Sequence, residues 1–217
     1  MQFRTYEELI KAAGVQGYDF RAAKAQPTPC PLYCRRTVAA AAIAANTKLK
    51  FFHKGIGDDI SGLGGTSGTA ITKEQTNLQA EGRLAQGELF ICTGIALQIP
   101  HSITTTDYLA LADCTVTWSE NSDTLRKTLG QFEDFPAQVG PSYLMRNISA
   151  TTGVEERLVR SEGRAYMTGA PLFYIRGGVE KHDQGALELE VITGFTPAAG
   201  HIKAKLYGVY FRKLAGG

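Results

Sequence analysis

The clearest signal along the chain is a period of two. In Ala186–Phe195, Leu187, Leu189 and Val191 alternate with Glu188 and Glu190. In Ile202–Leu214, Ile202, Ala204 and Leu206 alternate with Lys203 and Lys205. Successive side chains of a strand point to opposite faces, so each run reads as a half-buried strand with one face in a core. Thr47–Lys54 repeats the pattern, with Leu49 and Phe51 set against Lys48 and Lys50. Cys114–Asn121 does so with Cys114, Val116 and Trp118 on one face. Gly87–Pro100 is a longer β-rich run, and Gly94 within it is placed for a bulge. Further strands are predicted in Glu74–Gly82, in residues 123–130, from Val154 onward and in Pro171–His182. Thr104–Asp113 predicts a short helix with Leu109 and Leu111 inside.

The first 46 residues lack this alternation. Thr5 and Glu8 form a capping box ahead of Leu9, Ile10 and Ala13, and Gly14 is placed as a stop, so a short helix is expected over residues 5–13. Residues 21–34 hold Pro27, Pro29 and Pro31 and are expected to run as an extended arm. The alanine-rich run Val38–Asn46 favours helix. The glycine-rich Gly55–Thr69 reads as a long mobile surface loop. About eight strands follow residue 47 with no βαβ rhythm. The expected fold is all-β: a single antiparallel jelly-roll sandwich over 47–217, preceded by an N-terminal arm with a short helix over 1–46.

Composition narrows the class. A chain of 217 residues with 43% apolar and 20% charged positions suits one folded sandwich rather than a disordered chain. No stretch approaches the ~18 consecutive apolar residues of a membrane span. The start of the chain has no apolar run behind a basic region, so no secretory signal is expected and synthesis in a cytoplasm is. The net charge of +2 is small, but it is unevenly spread. Between residues 20 and 57 lie Arg21, Lys24, Arg35, Arg36, Lys48, Lys50 and Lys54, with no acid among them. That cluster assigns an anionic contact to the arm, with a neighbouring subunit, lipid head groups or genome phosphates as its candidates.

The motifs of common chemistries are missing. Cys30 and Cys34 form CPLYC, one residue wider than a CxxC, while Cys92 and Cys114 stand alone, so reduced thiols packed as small hydrophobes are expected rather than zinc. His53, His101, His182 and His201 are isolated, with no HxH pair of the kind a cupin metal site uses. The glycine-rich loop lacks the lysine of a phosphate-binding GK[ST], and Asp58-Asp59 within it supplies too few ligands for a cation. No GxSxG elbow is present, and Arg176-Gly-Gly is a single RGG. Tyr207, Tyr210 and Phe211 read as sheet packing before they read as a base-stacking platform. No catalytic, cofactor-binding or metal-binding residue is assigned, no cofactor or small-molecule substrate is expected, and the chain is expected not to be an enzyme.

The order of four passages carries a resemblance. They are KLKFF at Lys48–Phe52, TNLQAEGRLAQGELFICTGIALQI at Thr76–Ile99, TDYLALADCTVTWSEN at Thr106–Asn121 and the closing IKAKLYGVYFRKL. In this order the chain resembles the upright jelly-roll capsid proteins of tailless, membrane-containing icosahedral bacteriophages, over residues 47–214, and its length suits the single jelly-roll branch. The resemblance implies a structural virion protein that self-associates as a trimer or pseudo-hexameric capsomer, meets other capsid proteins and resides in the virion. It implies no catalytic residues. The alternative kept beside it is a carbohydrate- or receptor-binding jelly-roll module, which would want an exposed aromatic platform that the inward-facing Trp118 does not supply.

Overall fold

The computed structural model describes residues 8, 11, 26–29, 31–80, 82–99, 105–120, 125–132, 137–139, 144–148, 155–159, 166–167, 171–178, 185–197 and 199–212. Thirteen strands lie within them. They are β1 (Gln26–Pro29), β2 (Leu32–Val38), β3 (Lys48–Phe51), β4 (Leu89–Ile99), β5 (Thr115–Glu120), β6 (Leu125–Gln131), β7 (Ala137–Val139), β8 (Leu144–Ile148), β9 (Glu155–Val159), β10 (Tyr166–Met167), β11 (Phe173–Arg176), β12 (Gly185–Glu190) and β13 (Gly200–Arg212). One helix, Thr105–Ala112, joins them. The protein is therefore mostly β, and two of its sheets pack face to face.

In the larger sheet β13 lies between β2 and β4, and β11 flanks β4 on its far side. In the other sheet the order is β3-β12-β5-β6. The chain moves from β2 in the first sheet to β3 in the second, to β4 in the first, and to β5 and β6 in the second. After β6 it returns to β11 in the first, crosses to β12, and ends at β13. The pairings are antiparallel except for β7, which runs parallel to the end of β4. Strands β8 and β9 form a separate hairpin.

The core lies between the two sheets. Leu187, Leu189 and Val191 meet Ile202, Ala204 and Leu206 there, each no more than 2% exposed, as their alternation predicts. Trp118 of β5 stacks on Phe173 of β11 across the gap, with ring centroids 3.9 Å apart. The indole leaves no room beside it: a Cβ on Gly185 would stand 2.3 Å from Trp118 Cζ2. The expected irregularity near Gly94 is present, because Cys92 and Gly94 pair with the consecutive residues Gly208 and Tyr207, leaving Thr93 as the extra residue of a bulge.

Several expectations need correcting. The arm supplies strands: β1 pairs with Val209–Arg212 and β2 with Gly200–Leu206, so together they run along almost the whole of β13. Prolines are compatible with this because alternate residues of a strand direct their amides to opposite edges. Pro27 and Pro29 lose amides on one edge only, and Gln26 and Thr28 keep theirs for the other. The helix expected in Val38–Asn46 does not form. Ile43 exchanges backbone hydrogen bonds with Phe195 in both directions, and Asn46 turns the chain with φ +65°. This tertiary pairing outweighs the helix propensity of alanine. The described residues of Glu74–Gly82 form no strand; instead Gln75, Thr76 and Asn77 close the free edge of β2 through bonds to Tyr33 and Arg35. In the helix, Leu111 is buried but Leu109 is 60% exposed. Residues two apart on a helix lie ~200° apart around its axis, so both could not face the core. The helix expected over residues 5–13 lies outside the described residues except for Glu8 and Lys11, which are helical.

Candidate functional site

The glycine-rich loop is ordered by its two aspartates. Asp58 accepts from the Gly55 amide at 2.6 Å. Asp59 caps a short 3-10 turn, Ile60–Leu63, by accepting from Ser61 N at 2.7 Å, and it also takes Gly68 N at 3.0 Å and Ser67 Oγ at 3.3 Å. The Gly68 and Ser61 amides hold its carboxyl down at about 2. Ile60 and Leu63 are buried beneath the turn. Gly64 ends it with φ +80°, and a Cβ there would stand 2.1 Å from the Thr37 carbonyl oxygen. The expected mobile loop is thus a fitted corner piece, and both aspartates are used to build it.

Arg36 belongs to the same corner. It lies on the core side of β2, between Cys34 and Val38, and donates to the carbonyls of Lys50 at 3.2 Å and Gly62 at 2.8 Å. Burial lowers its pKa. It ties β2 of one sheet to β3 of the other and to the loop, so this member of the basic cluster works as a bracket within the fold.

The thiols do not gather. Cys34, Cys92 and Cys114 are free and buried, and Cys30 lies outside the described residues. Burial pushes Cys34 and Cys114 up to about 11 and Cys92 higher still, which keeps all three as neutral thiols. Among the described residues no group of three or more His, Cys, Asp or Glu side chains could hold a metal ion. His53 is partly buried near the corner and His201 is exposed on β13, while His101 and His182 lie outside the described residues.

A cleft of about 130 Å³ opens between Leu32, Asn77, Gln79, Leu84, Ala85, Glu88 and Tyr210. Glu88 is held inside it by the Tyr210 hydroxyl and the Ala85 amide. Small-molecule pockets commonly exceed about 300 Å³, so this space fits little beyond a few waters. Trp118 is 2% exposed and donates to Glu120, so it offers no platform for a sugar ring. Phe211 is buried, and Tyr210 packs against the core as its sequence context suggested.

The two outer faces hold the remaining chemistry. On the four-stranded sheet, Lys50 pairs in register with Glu188 and Lys48 with Glu190. The fully buried Glu188 carboxylate lies 3.1 Å from Lys50 Nζ and 4.0 Å from Lys48 Nζ. On the larger sheet, β13 directs His201, Lys203, Lys205 and Tyr207 outward. The neighbouring β2 directs Tyr33, Arg35 and Thr37 outward beside them. Lys203 pairs with Arg35 across one strand boundary and with Gln98 across the other. None of Arg35, His201, Lys203 and Lys205 forms an ion pair among the described residues. Desolvation, with Lys205 and Arg35 nearby, lowers the Lys203 pKa, and desolvation with Arg35 lowers that of His201. Lys203 Nζ rests 4.6 Å from the centre of the Tyr33 ring, whose hydroxyl donates to the Lys73 carbonyl. Leu109 and Ile192, 60% and 51% exposed, belong to segments that meet at Cys114, which donates to the Ala110 carbonyl and lies against the Ile192 backbone.

Sequence reasoning missed the basic face because Arg35 was assigned to an arm and Lys203 to a distant strand. The antiparallel pairing of β2 with β13 brings them together. No helix among the described residues is long and apolar enough to cross a membrane. Comparison with known protein families, with curated proteins and with solved structures finds no match for this chain.

Proposed function

We propose that the chain is a jelly-roll shell subunit, a structural virion protein that assembles with copies of itself into an icosahedral capsid. The strand order carries this reading. One sheet reads β2-β13-β4-β11, and the facing sheet reads β3-β12-β5-β6. The chain alternates between them on both sides of the β5–β6 hairpin, as a hairpin wrapped around a barrel would. Strands β7 to β10 then belong to an excursion between β6 and β11. The order of sequence passages that resembles upright capsid jelly rolls points the same way.

A fold alone does not specify a function, so the proposal adds assembly. The exposed Leu109 and Ile192 at one end of the sandwich suit burial against a neighbour. Identical subunits usually close with point symmetry, and a trimeric or pseudo-hexameric capsomer is the expected unit. Host cytoplasm is then the site of synthesis and the virion the final location. Electron microscopy of the purified full chain, together with sedimentation across a concentration series, tests this. Rings, sheets or shells, or concentration-dependent oligomers, support the reading. A strict monomer at high concentration that forms no particle would overturn it.

A further inference from the structure

The outer face of β2 and β13 sets the cations Arg35, Lys203 and Lys205 together, with His201 next to them. His201, Lys203 and Lys205 stand at alternate positions of β13, and Arg35 stands beside Lys203 on β2. Alternate residues of a strand repeat every ~7 Å, close to the spacing of successive phosphates in an extended polynucleotide. Two tyrosines, Tyr33 and Tyr207, sit among these cations, and both are partly exposed. Tyr33 is fixed by its hydroxyl bond to the Lys73 carbonyl and by Lys203 over its ring. We propose that this face is a docking surface for single-stranded nucleic acid, with Arg35, Lys203 and Lys205 meeting phosphates and Tyr33 and Tyr207 offering ring faces to bases.

Three observations favour this occupant. Like charges held side by side on neighbouring strands are unfavourable unless an anion joins them, and no carboxylate of the described residues does so. Among the described residues, a second copy of the chain offers no matching acidic row on its other sheet, because Glu188 and Glu190 already face Lys50 and Lys48. A bilayer surface would want large apolar side chains beside the cations. The exposed ones among the described residues, Leu109 and Ile192, lie instead by Cys114, at the start of β5 in the other sheet. The free edge of β2 is already closed by Gln75 and Asn77, so the surface offers its face and not a strand edge. The proposal is independent of the shell reading: a shell subunit could lack this activity, and a protein that forms no shell could have it.

The test is fluorescence anisotropy of the full chain with a labelled mixed-sequence single strand of about 20 nucleotides, a length that spans one site. About three phosphate contacts give a slope of roughly −2 in log affinity against log salt, so binding should weaken more than tenfold between about 50 and about 200 mM salt. The triple variant R35Q/K203Q/K205Q should lose at least tenfold in affinity and most of the salt slope, with its fold checked by Trp118 fluorescence during thermal melting. Should the triple variant melt early, K205Q is compared with K127Q, a matched loss of one charge on the other sheet. Only K205Q should weaken binding. Binding that the substitutions leave unchanged, or no binding at the lower salt, overturns the proposal. So does binding to phosphatidylserine vesicles by a protein that ignores the oligonucleotide.

Discussion

Two stretches of this chain share the pattern lysine, apolar, lysine: Lys48-Leu49-Lys50 and Lys203-Ala204-Lys205. In both, the lysines face outward and the residue between them is buried. Their electrostatic settings are opposite. The first pair lies beside Glu188 and Glu190 of β12 and surrounds a buried carboxylate. The second pair lies beside Tyr33 and Arg35 of β2 and beside Ala96 and Gln98 of β4, and it meets no acid among the described residues. A strand's own sequence therefore decides which face its charges take, and its neighbours in register decide whether those charges are neutralised.

Four single substitutions and one double variant probe that contrast, from the largest expected effect downward. Leu189→Asp places a carboxylate one residue from Glu188 but on the inner face, among the apolar side chains of the core. An unpaired buried charge of this kind should unfold the domain, read as loss of cooperative melting by circular dichroism. Lys50→Met removes the closer partner of Glu188 and should cost about 2 kcal/mol in urea unfolding. The double variant Lys50→Met/Glu188→Leu should recover much of that loss, since the stranded charge goes with it.

On the other sheet the sign reverses. Lys203→Met should leave the melting temperature unchanged or slightly raised, because folding lowers the Lys203 pKa and so disfavours its charged form. A drop comparable to that of Lys50→Met would show a hidden acidic partner and end the contrast. The smallest effect belongs to His201. Its folded pKa lies below the ordinary 6.5, so the unfolded chain takes up the proton more readily. Stability should therefore decline as pH falls below that value, and His201→Asn should flatten this part of the pH–stability curve measured by thermal melting.

The elements legible in advance were those whose evidence is local. Leu187, Leu189, Ile202 and Leu206 announce their strands by alternation alone, and all four are in the core. The bulge beside Gly94 was legible for the same reason. What was missed depended on partners far away in sequence. Pro27 and Pro29 read as an arm because their pairing with β13 leaves no trace in the local pattern. Ile43 sits in an alanine run whose propensity is helical, and only its bonds to Phe195 make it extended. Leu109 was misplaced by applying a strand's period to a helix. The mobile-loop reading of Gly55–Thr69 counted glycines but overlooked two aspartates placed to accept their amides. The basic face combines residues from β2 and β13, so no window of sequence contains it.

The position of β13 also bears on how the protein comes to fold. This strand lies between β2 and β4, yet a ribosome makes it after every other strand of the sandwich. Until residues 200–212 emerge, β2 and β4 have no partner between them, and Cys34, Phe90 and Ile95 have only half of their surroundings. Nascent chains must therefore hold exposed strand edges and apolar side chains until that strand emerges, which favours pairing with neighbours on the same message. Closure must join segments well over a hundred residues apart, so folding should be slow.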